Sequence, residues 1–437
     1  MKKTILLIGV FLFLAAVAVG GEPKYVFLFI GDGMAFPQRM AAEEFSRYSG
    51  KGGLAINKFP YHAVTRTASS SSLTTDSAAA ATAIACGVKT YNGAVGLNAK
   101  GEKVVSVAEY AKSKGKKVGI ITTVTLNHAT PAGFYGHRAG RTMYFELGLD
   151  LVASGFDFFG GGGIEYYRKN GVDIFKEAAG KGYTVLNGKS DLDSLRPGQK
   201  TIFLADAKDK KMSYAIDADP EVPTLAEITA GGIKVLDNPE GFFMMVEGGL
   251  IDYAGHGNDA AINVYEVLAF DEAVKVALDF YHKHPEETLI IVTGDHETGG
   301  MTLGCVSSTL NVKYFAHQKC SSAKVGSLVA EARKNDPEFD FEKAKSMLTE
   351  YCGFKFNNGA GHIKLDSKDV ASLKEAFDKN ELHHTIRMII NKKSGIGWTT
   401  YGHTALPVLT TAIGCKAEIF QGYIENTDIS LKLKDIL

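Results

Sequence analysis

The chain has 437 residues, of which 45% are hydrophobic, and this is enough for one large core or for two domains. Its 48 basic and 49 acidic residues nearly cancel, and the sequence has no basic tract. This balance argues against a nucleic-acid-binding surface.

The N-terminus is typical of a secretory signal peptide. Lys2 and Lys3 precede a short apolar run, and small residues follow that run. We expect residues 1–20 to be cleaved and the protein to be exported to the periplasm or the extracellular space. An uncleaved anchor is the alternative. However, the apolar run is shorter than the ~20 residues of a membrane span, and no later run is long enough, so we expect no stable span.

The five cysteines leave the question of disulfides open. Export permits disulfides, but an odd count leaves at least one thiol unpaired within the chain. Cys305 and Cys320 are close in sequence and form a plausible pair, which the sequence does not fix. No Cys-x-x-Cys pattern is present, so we do not expect a cysteine-based zinc site.

Short runs of β-branched and aromatic residues predict buried strands. They lack alternation, as expected for strands that are covered on both faces, and they span residues 25–30, 117–124, 242–246 and 288–293. Helix-like segments at 104–116 and 262–283 lie between them. Strands that alternate with helices predict an α/β fold with a mostly parallel sheet.

Polar residues follow each predicted strand. In open α/β sheets, ligands bind beyond the carboxyl ends of the strands. The sequence therefore predicts that one edge of the sheet carries a polar site, formed by Asp32, Thr130, Glu247, Asp252, Asp295 and His296.

Residues 300–397 differ in character, with charged helical stretches and loop-like pieces. They separate the motif GDHETGG from the late motif YGHTALP. We interpret this region as a large insertion into a single domain that spans residues 21–437.

Ser77 stands at the head of an alanine-rich stretch, TTDSAAAATA. The simplest interpretation is a helix start, because Thr, Asp and Ser are good N-caps and Ala is the best helix former. The alternative is that Ser77 is a nucleophile placed at a helix N-terminus, where backbone N–H groups attract anions.

Several residues have the chemistry and spacing of metal ligands. Asp252 and His256 lie four residues apart, which places both on one face of a helical turn. Asp295 and His296 are adjacent after a strand, and His403 supplies a further imidazole. Carboxylate and imidazole together suit zinc. Each pair alone is weak evidence for a metal site. The evidence is stronger for the whole set, because its members share one edge of the predicted sheet.

The motifs together resemble those of the alkaline phosphatases. In the order of that family, they are IGDGM (30–34), TDSAAAATA (75–83), HATPAGFYGHRAGR (128–141), EGGLIDYAGH (247–256), GDHETGG (294–300) and YGHTALP (401–407). The resemblance implies a three-layer sandwich. A large, mostly parallel central sheet has helices on both faces, and the insertion at 300–397 forms a crown or lid near the active site.

The resemblance also implies the site residues. Ser77 matches the phosphorylated nucleophile, Arg141 matches the arginine that binds the phosphate, and Asp76 matches the residue that positions this arginine. The implied metal ligands are Asp252, His256 and His403 for one Zn²⁺; Asp32, Asp295 and His296 for a second Zn²⁺; and Asp32, Thr130 and Glu247 for one Mg²⁺. The implied reaction is hydrolysis of phosphate monoesters through a phosphoserine intermediate, and a homodimer is possible.

His128 and Tyr253 depart from some bacterial relatives, which carry Asp and Lys at these positions. We expect both residues to lie near the phosphate. We do not expect His128 to bind magnesium directly, because imidazole prefers softer metals. Because Tyr253 lacks a positive charge, we hypothesise that product phosphate leaves faster than it would from a lysine.

Four alternatives remain. A cofactor-independent phosphoglycerate mutase would use similar metal ligands, but an exported chain fits it poorly. A sulfatase needs a Cys or Ser followed by x-Pro-x-Arg, whereas alanines follow Ser77. A phosphodiesterase often uses Thr as its nucleophile and lacks the arginine that corresponds to Arg141. A non-catalytic phosphate- or metal-binding protein would need no nucleophile.

Overall fold

The computed structural model describes residues 21–437 except 207–209 and 307. The predicted signal peptide, residues 1–20, lies outside the described residues. Within the described part of the chain, ten strands form one central sheet. The strands are β1 (Tyr25–Gly31), β2 (Tyr61–Arg66), β3 (Lys117–Thr122), β4 (Phe158–Gly161), β5 (Thr184–Asn187), β6 (Thr201–Leu204), β7 (Phe242–Gly248), β8 (Thr288–Gly294), β9 (Val408–Gly414) and β10 (Gly422–Glu425).

The strand order across the sheet is β10-β2-β9-β8-β1-β7-β3-β4-β6-β5. All neighbouring strands pair in parallel except where β9 contacts β8 and β2, because β9 runs in the opposite direction. The four strands expected from the sequence correspond to β1, β3, β7 and β8. The predicted mostly parallel α/β sheet is therefore confirmed.

Fourteen helices accompany the sheet in the described residues. They are α1 (Phe36–Tyr48), α2 (Ser77–Cys86), α3 (Val107–Ser113), α4 (Ala129–Ala132), α5 (Tyr144–Ser154), α6 (Ile174–Gly180), α7 (Leu225–Leu236), α8 (Leu250–His256), α9 (Ala260–Tyr281), α10 (Ser322–Asn335), α11 (Phe341–Cys352), α12 (Ser367–Asp378), α13 (Leu382–Ser394) and α14 (Thr427–Ile436). The predicted helical segments at 104–116 and 262–283 correspond to α3 and α9.

Two hydrophobic cores lie on opposite faces of the sheet. Phe27 and Phe29 of β1 belong to one core, whereas Leu28 and Ile30 belong to the other. This alternation follows from the period of a strand, whose successive side chains point to opposite faces. The first core includes residues of α1, α7 and α9, and the second includes residues of α2, α3, α5 and α14. The predicted three-layer arrangement is confirmed.

Glycines end the three central strands in register. Gly31 of β1 lies beside Gly248 of β7 and Gly294 of β8. A Cβ at Gly294 would lie 2.2 Å from the main-chain oxygen of Met34. The chain after β1 therefore folds back over the strand ends, and Asp32 is fully buried at the carboxyl edge.

Residues 300–397, which we predict to be an insertion, have near their two ends short strands that pair with each other. Thr302–Leu303 pairs antiparallel with Ile396–Gly397. The insertion packs beside α9, where the Asn391 side-chain amide donates to the Asn258 main-chain oxygen at 2.7 Å. Ser322 Oγ also donates to Asp259 Oδ2 at 2.8 Å. Residues of this region therefore contact the segment between α8 and α9.

All five cysteines are unpaired, so the suggested Cys305–Cys320 pair is wrong. Cys305 is exposed, and its thiol donates to the Gly395 main-chain oxygen at 3.5 Å. Cys320 is instead buried in the hydrophobic core beside the insertion helices. None of the helices in the described ranges is both long and apolar enough to cross a membrane.

Candidate active site

Ser77 is the first residue of α2 and is almost fully buried at the carboxyl edge of the sheet. Asp76 is the N-cap, and its Oδ1 accepts the Ala79 N–H at 3.0 Å. The ten residues of α2 are all buried. Small side chains allow this close packing, and the helix N-terminus is an anion-binding position. The helix-start interpretation of Ser77 is correct, and it is compatible with a nucleophile.

Two basic groups lie against the Ser77 hydroxyl. Arg141 Nη1 donates to Ser77 Oγ at 3.4 Å, and His296 Nε2 lies 3.3 Å from the same oxygen. Burial strongly lowers the pKa of His296, and the charges of His403 and Arg141 lower it further. The His296 imidazole is therefore neutral, and Arg141 supplies the positive charge.

Arg141 is held from two sides. Its Nη1 donates to Asp76 Oδ2 at 3.1 Å, and its Nη2 donates to His128 Nε2 at 3.2 Å. Burial lowers the pKa of His128 to about 3, with a further contribution from Arg141. His128 is therefore a neutral acceptor. The planar guanidinium is oriented so that its fork can bind two phosphoryl oxygens.

Asp252, His256 and His403 form the first ligand cluster, at the mouth of the site. Their ligand atoms lie within 4.8 Å of one another. His256 Nδ1 contacts the Tyr401 main-chain oxygen at 2.5 Å, and His403 Nδ1 contacts the Thr75 main-chain oxygen at 2.9 Å. These carbonyls fix Nδ1 as the protonated nitrogen, so both Nε2 atoms present lone pairs beside Asp252.

Asp32, Asp252 and His296 form a second cluster at greater depth. His296 Nε2 lies 3.4 Å from Asp32 Oδ1 and 3.2 Å from Asp295 Oδ2. Asp295 Oδ1 is already used, because it accepts the Gly33 N–H at 3.0 Å. The predicted group of Asp32, Asp295 and His296 is thus assembled, and Asp252 adjoins it.

Asp32 also belongs to a third cluster with Glu247 and His128. Thr130, which was predicted here from the sequence, donates to Asp32 Oδ2 at 3.3 Å. The structure therefore places both His128 and Thr130 beside the acids of this cluster. From the sequence we do not expect His128 to bind magnesium directly, whereas the structure places one His128 nitrogen within 4.8 Å of the ligand oxygens of Asp32 and Glu247.

Several buried oxygens in these clusters lack hydrogen-bond donors among the described residues. They are Asp32 Oδ1, Glu247 Oε1 and Asp295 Oδ2. Burial raises the pKa of Glu247 to about 8 and that of Asp295 to about 7, and repulsion between the acids contributes. Unpaired buried carboxylates are costly unless they bind cations. The donor set therefore fits divalent metal ions, with neutral imidazoles suited to zinc and oxygen ligands to magnesium.

Sequence reasoning missed two threonines that orient the ligands. Thr298 Oγ1 donates to Asp252 Oδ1 at 2.5 Å and lies 3.2 Å from His296 Nδ1. Thr122 donates to Glu247 Oε2. Thr298 lies two residues after His296 in GDHETGG, and this spacing was an available signal because residues i and i+2 of extended chain share a side. Such contacts are typical of the groups that fix ligand orientation.

Comparisons with known proteins agree with this geometry. A family model described as alkaline phosphatase matches residues 23–155 and 161–437. Alkaline phosphatase 4 of Bacillus subtilis is 35% identical over 370 residues, which cover 81% of this chain and 74% of that protein. The repressible alkaline phosphatase of Saccharomyces cerevisiae is 30% identical, with coverage of 95% of this chain and 81% of that protein.

Solved structures of alkaline phosphatases share the fold. The cold-active enzyme of a psychrophilic Shewanella aligns with a TM-score of 0.83 and 28% identity, over 94% of this chain and 99% of that chain. A histidine-to-glutamate mutant of the enzyme from the Antarctic bacterium TAB5, with magnesium in its M3 site, aligns with a TM-score of 0.70 and 28% identity, over 95% and 98% of the two chains. These relatives are phosphoric monoester hydrolases, in agreement with the enzyme class predicted from the motifs. The chain belongs to the alkaline phosphatase family.

Proposed function

We propose that this protein hydrolyses phosphate monoesters to an alcohol and inorganic phosphate, through a phosphoserine at Ser77. The observation that carries the proposal is the position of Ser77 Oγ. It lies between Arg141 Nη1 at 3.4 Å and His296 Nε2 at 3.3 Å. The same hydroxyl stands at a helix N-terminus, and its neighbour His296 Nε2 lies 3.4 Å from Asp32 Oδ1, an oxygen without a hydrogen-bond donor among the described residues. The proposed nucleophile thus lies next to a site that can bind an anion and next to residues that can bind metal ions.

We assign the ligands to two Zn²⁺ and one Mg²⁺. Asp252, His256 and His403 would hold one zinc, and Asp32, Asp295 and His296 the second. Asp32, Thr130 and Glu247 would hold magnesium, with His128 adjacent. Bound, these ions supply Lewis-acid activation of the serine hydroxyl and of the leaving oxygen. Four carboxylates, a serine alkoxide and a phosphate dianion carry about seven negative charges, which three divalent ions and Arg141 balance.

Residues of the chain itself bind the substrate, stabilise its charge and attack the phosphorus. Arg141 binds two phosphoryl oxygens and orients the phosphorus in line with Ser77 Oγ. The N–H groups at the start of α2 face the same anion and stabilise its charge. Ser77 attacks the phosphorus, the ester oxygen leaves with the alcohol, and water later cleaves the phosphoserine. This combination of positioning and charge stabilisation is typical of phosphoryl transfer.

The presence of Arg141 is better explained by a monoester substrate than by a diester substrate. A monoester dianion has three free oxygens, and two of them can occupy the guanidinium fork while the third faces the ligand clusters. Arg141 is anchored by Asp76 and His128, so its fork is preorganised for this task. A purely phosphate-binding protein would need the arginine and would have no use for the Ser77 hydroxyl.

We further propose that residues 21–437 form one domain with an accessory insertion at 300–397, in an exported protein whose residues 1–20 are its signal. The insertion is joined through the pairing of Thr302–Leu303 with Ile396–Gly397, as expected for a local excursion from the main body. A homodimer is compatible with this proposal and is tested by light scattering.

The test is hydrolysis of p-nitrophenyl phosphate at alkaline pH. The parent and Ser77→Ala are assayed before chelation, after EDTA, and after return of zinc and magnesium. We expect activity that requires Ser77, disappears with chelation and returns with the metals. A metal-loaded parent that is inactive would contradict the proposal and would favour a diesterase or a binding protein.

A further inference from the structure

A cleft of about 830 Å³ lies on the side of Tyr253, the residue that follows Asp252. Tyr253 lines this cleft and immediately follows Asp252, which belongs to the candidate metal clusters. Its ring centroid lies 6.3 Å from that of His128. The wall beside Tyr253 includes Lys210, Lys211 and Lys324. We call this feature the lysine cleft.

The segment that carries two of these lysines is fixed to the sheet. The Lys210 main-chain oxygen accepts the Gly163 N–H at 2.7 Å, beyond the end of β4. The Met212 N–H donates to the Thr123 oxygen at 2.9 Å, beyond the end of β3. A Cβ at Gly162 would lie 2.4 Å from the Lys210 oxygen, so only glycine allows this approach. Lys211 is therefore held at the carboxyl edge, where the candidate active site lies.

The Lys211 ammonium lies between two aromatic rings. Its Nζ is 5.1 Å from the Tyr253 ring centroid and 4.9 Å from that of Tyr214. Both distances are in the range of cation–π contacts. The two rings restrict the lysine to a position between the active-site mouth and the interior of the cleft. The positive charge is thus placed beside Tyr253, the neighbour of Asp252 in the chain.

The charges of the lysine cleft are unequal. Among the described residues that line it, three are lysines and two are carboxylates, Glu165 and Asp217. Lys210 pairs with Glu165 at 2.6 Å, and Asp217 Oδ1 accepts the Ser321 N–H at 2.8 Å. Lys211 also lowers the pKa of the buried Glu266, although burial dominates and raises that pKa to about 7. The described lining residues therefore carry one more positive than negative charge, which favours anions over cations.

We propose that the lysine cleft is a leaving-group subsite that favours phosphate monoesters whose alcohol carries a second anionic group, either a carboxylate or another phosphate. The inference rests on the phosphomonoesterase function proposed above. With the reacting phosphate on Arg141 and Ser77, the alcohol extends past Tyr253 into the cleft. Lys211 attracts the second anionic group, and Lys324 faces it from the insertion.

Two matched esters test the subsite, phenyl phosphate and 4-carboxyphenyl phosphate. The ratio of their kcat/KM values is measured for the parent, Lys211→Met and Lys211→Arg. Methionine keeps an apolar chain between the rings and removes the charge. We expect the ratio to fall about fivefold in Lys211→Met, as for one partly screened ion pair, and to be retained in Lys211→Arg. Comparison of each variant with the parent cancels the different reactivity of the two leaving groups.

Lys200→Met is the matched control. Lys200 also lies over a tyrosine ring, 5.5 Å from the Tyr183 centroid. It immediately precedes β6 and so stands at the opposite edge of the sheet. We expect the ratio of the two kcat/KM values to be the same for Lys200→Met as for the parent.

Ionic strength and a second probe extend the test. Because exposed charges are screened, salt at about 0.5 M should lower the ratio of the parent toward that of Lys211→Met. Fructose 1,6-bisphosphate against fructose 6-phosphate repeats the comparison with a second phosphate in place of a carboxylate. An active parent with the same ratio as Lys211→Met would overturn the subsite alone. A metal-loaded parent that is inactive on phenyl phosphate would overturn the proposed function and the subsite with it.

Discussion

Asp76 makes separate contacts with its two carboxylate oxygens, and these contacts can be separated by mutation. Oδ1 caps α2 by accepting the Ala79 N–H at 3.0 Å, and it also accepts the Gly93 N–H at 3.0 Å. Oδ2 accepts from Arg141 Nη1 at 3.1 Å. Asparagine can keep the first oxygen, but it places an amide N–H₂ against the guanidinium. Alanine removes both oxygens.

The two substitutions should therefore differ in stability. Loss of an N-cap costs about 1 kcal/mol, and loss of the acceptor for the Gly93 N–H costs about 1 kcal/mol more. Both variants also lose the Arg141 contact, so the difference between them isolates the contacts of Oδ1. We expect Asp76→Ala to be about 2 kcal/mol less stable than Asp76→Asn, visible as a Tm lower by about 2–4 °C, because the Oδ1 of asparagine can still accept both N–H groups.

Activity should respond differently from stability. The Asp76–Arg141 contact is a charge-assisted hydrogen bond between side chains that are 19% and 25% exposed. Such a bond contributes about 1.5–3 kcal/mol, but His128 still holds Arg141 from the other side. We expect both variants to lose about tenfold in kcat/KM on p-nitrophenyl phosphate, equivalent to about 1.4 kcal/mol.

Differential scanning fluorimetry and steady-state kinetics on the metal-loaded protein give the two readouts. An Asp76→Asn variant with the kcat/KM of the parent would refute the role of Asp76 in positioning Arg141. An Asp76→Asn variant as unstable as Asp76→Ala would refute the assignment of the cap to Oδ1.

Three further predictions concern metals, pH and product. Because bound ligands stabilise the folded state, EDTA should lower the stability by about 4 kcal/mol for each site that was filled at a thousand times its Kd, and an unchanged Tm would contradict the metal assignment. Burial raises the pKa of Glu266 from 4.5 to about 7, so the folded state binds this proton more tightly than the unfolded state. The parent should therefore lose up to about 3 kcal/mol of stability between pH 4.5 and 7 through this group. Glu266→Gln should lack that loss, and its Tm advantage over the parent should be greater at pH 8 than at pH 5; an equal advantage at both would refute this. Tyr253→Lys should tighten competitive inhibition by phosphate because it adds a positive charge, and an unchanged inhibition constant would count against this.

The sequence predicted the central strands because local composition determines them. The strands β1, β7 and β8 are buried along their whole length, and their uniform apolar character distinguishes them from half-exposed strands. The polar residues that follow these strands meet because the carboxyl ends of parallel strands share an edge. The positions of Asp32, Asp295 and His296 were predictable for this reason.

The lateral strand order and the outer strands were not predictable in the same way. β4, β5 and β6 have only four residues each, too few to show a period. β9 is reached after the long insertion, and its antiparallel direction depends on how that excursion returns to the sheet. The strand order and the direction of β9 depend on tertiary packing, which local sequence patterns do not determine.

Within the site, individual residues were easier to predict than their partnerships. Asp252 adjoins two clusters, and His128 lies beside Asp32 and Glu247. Neither arrangement follows from spacing along the chain, because the contacts join residues that are far apart in sequence. Lys211 was missed for the same reason, since its position beside Tyr253 arises only when residues 210–212 bind the chain beyond the ends of β3 and β4.

The most direct test of the central claim is to locate the phosphoryl group during turnover. The metal-loaded parent and Ser77→Ala are mixed with a phosphate monoester, quenched in acid and digested for mass spectrometry. We predict a phosphorylated peptide that contains Ser77 in the parent, and neither phosphopeptide nor turnover in Ser77→Ala. Turnover by Ser77→Ala at the rate of the parent, or a phosphoryl group on a different residue, would contradict the account.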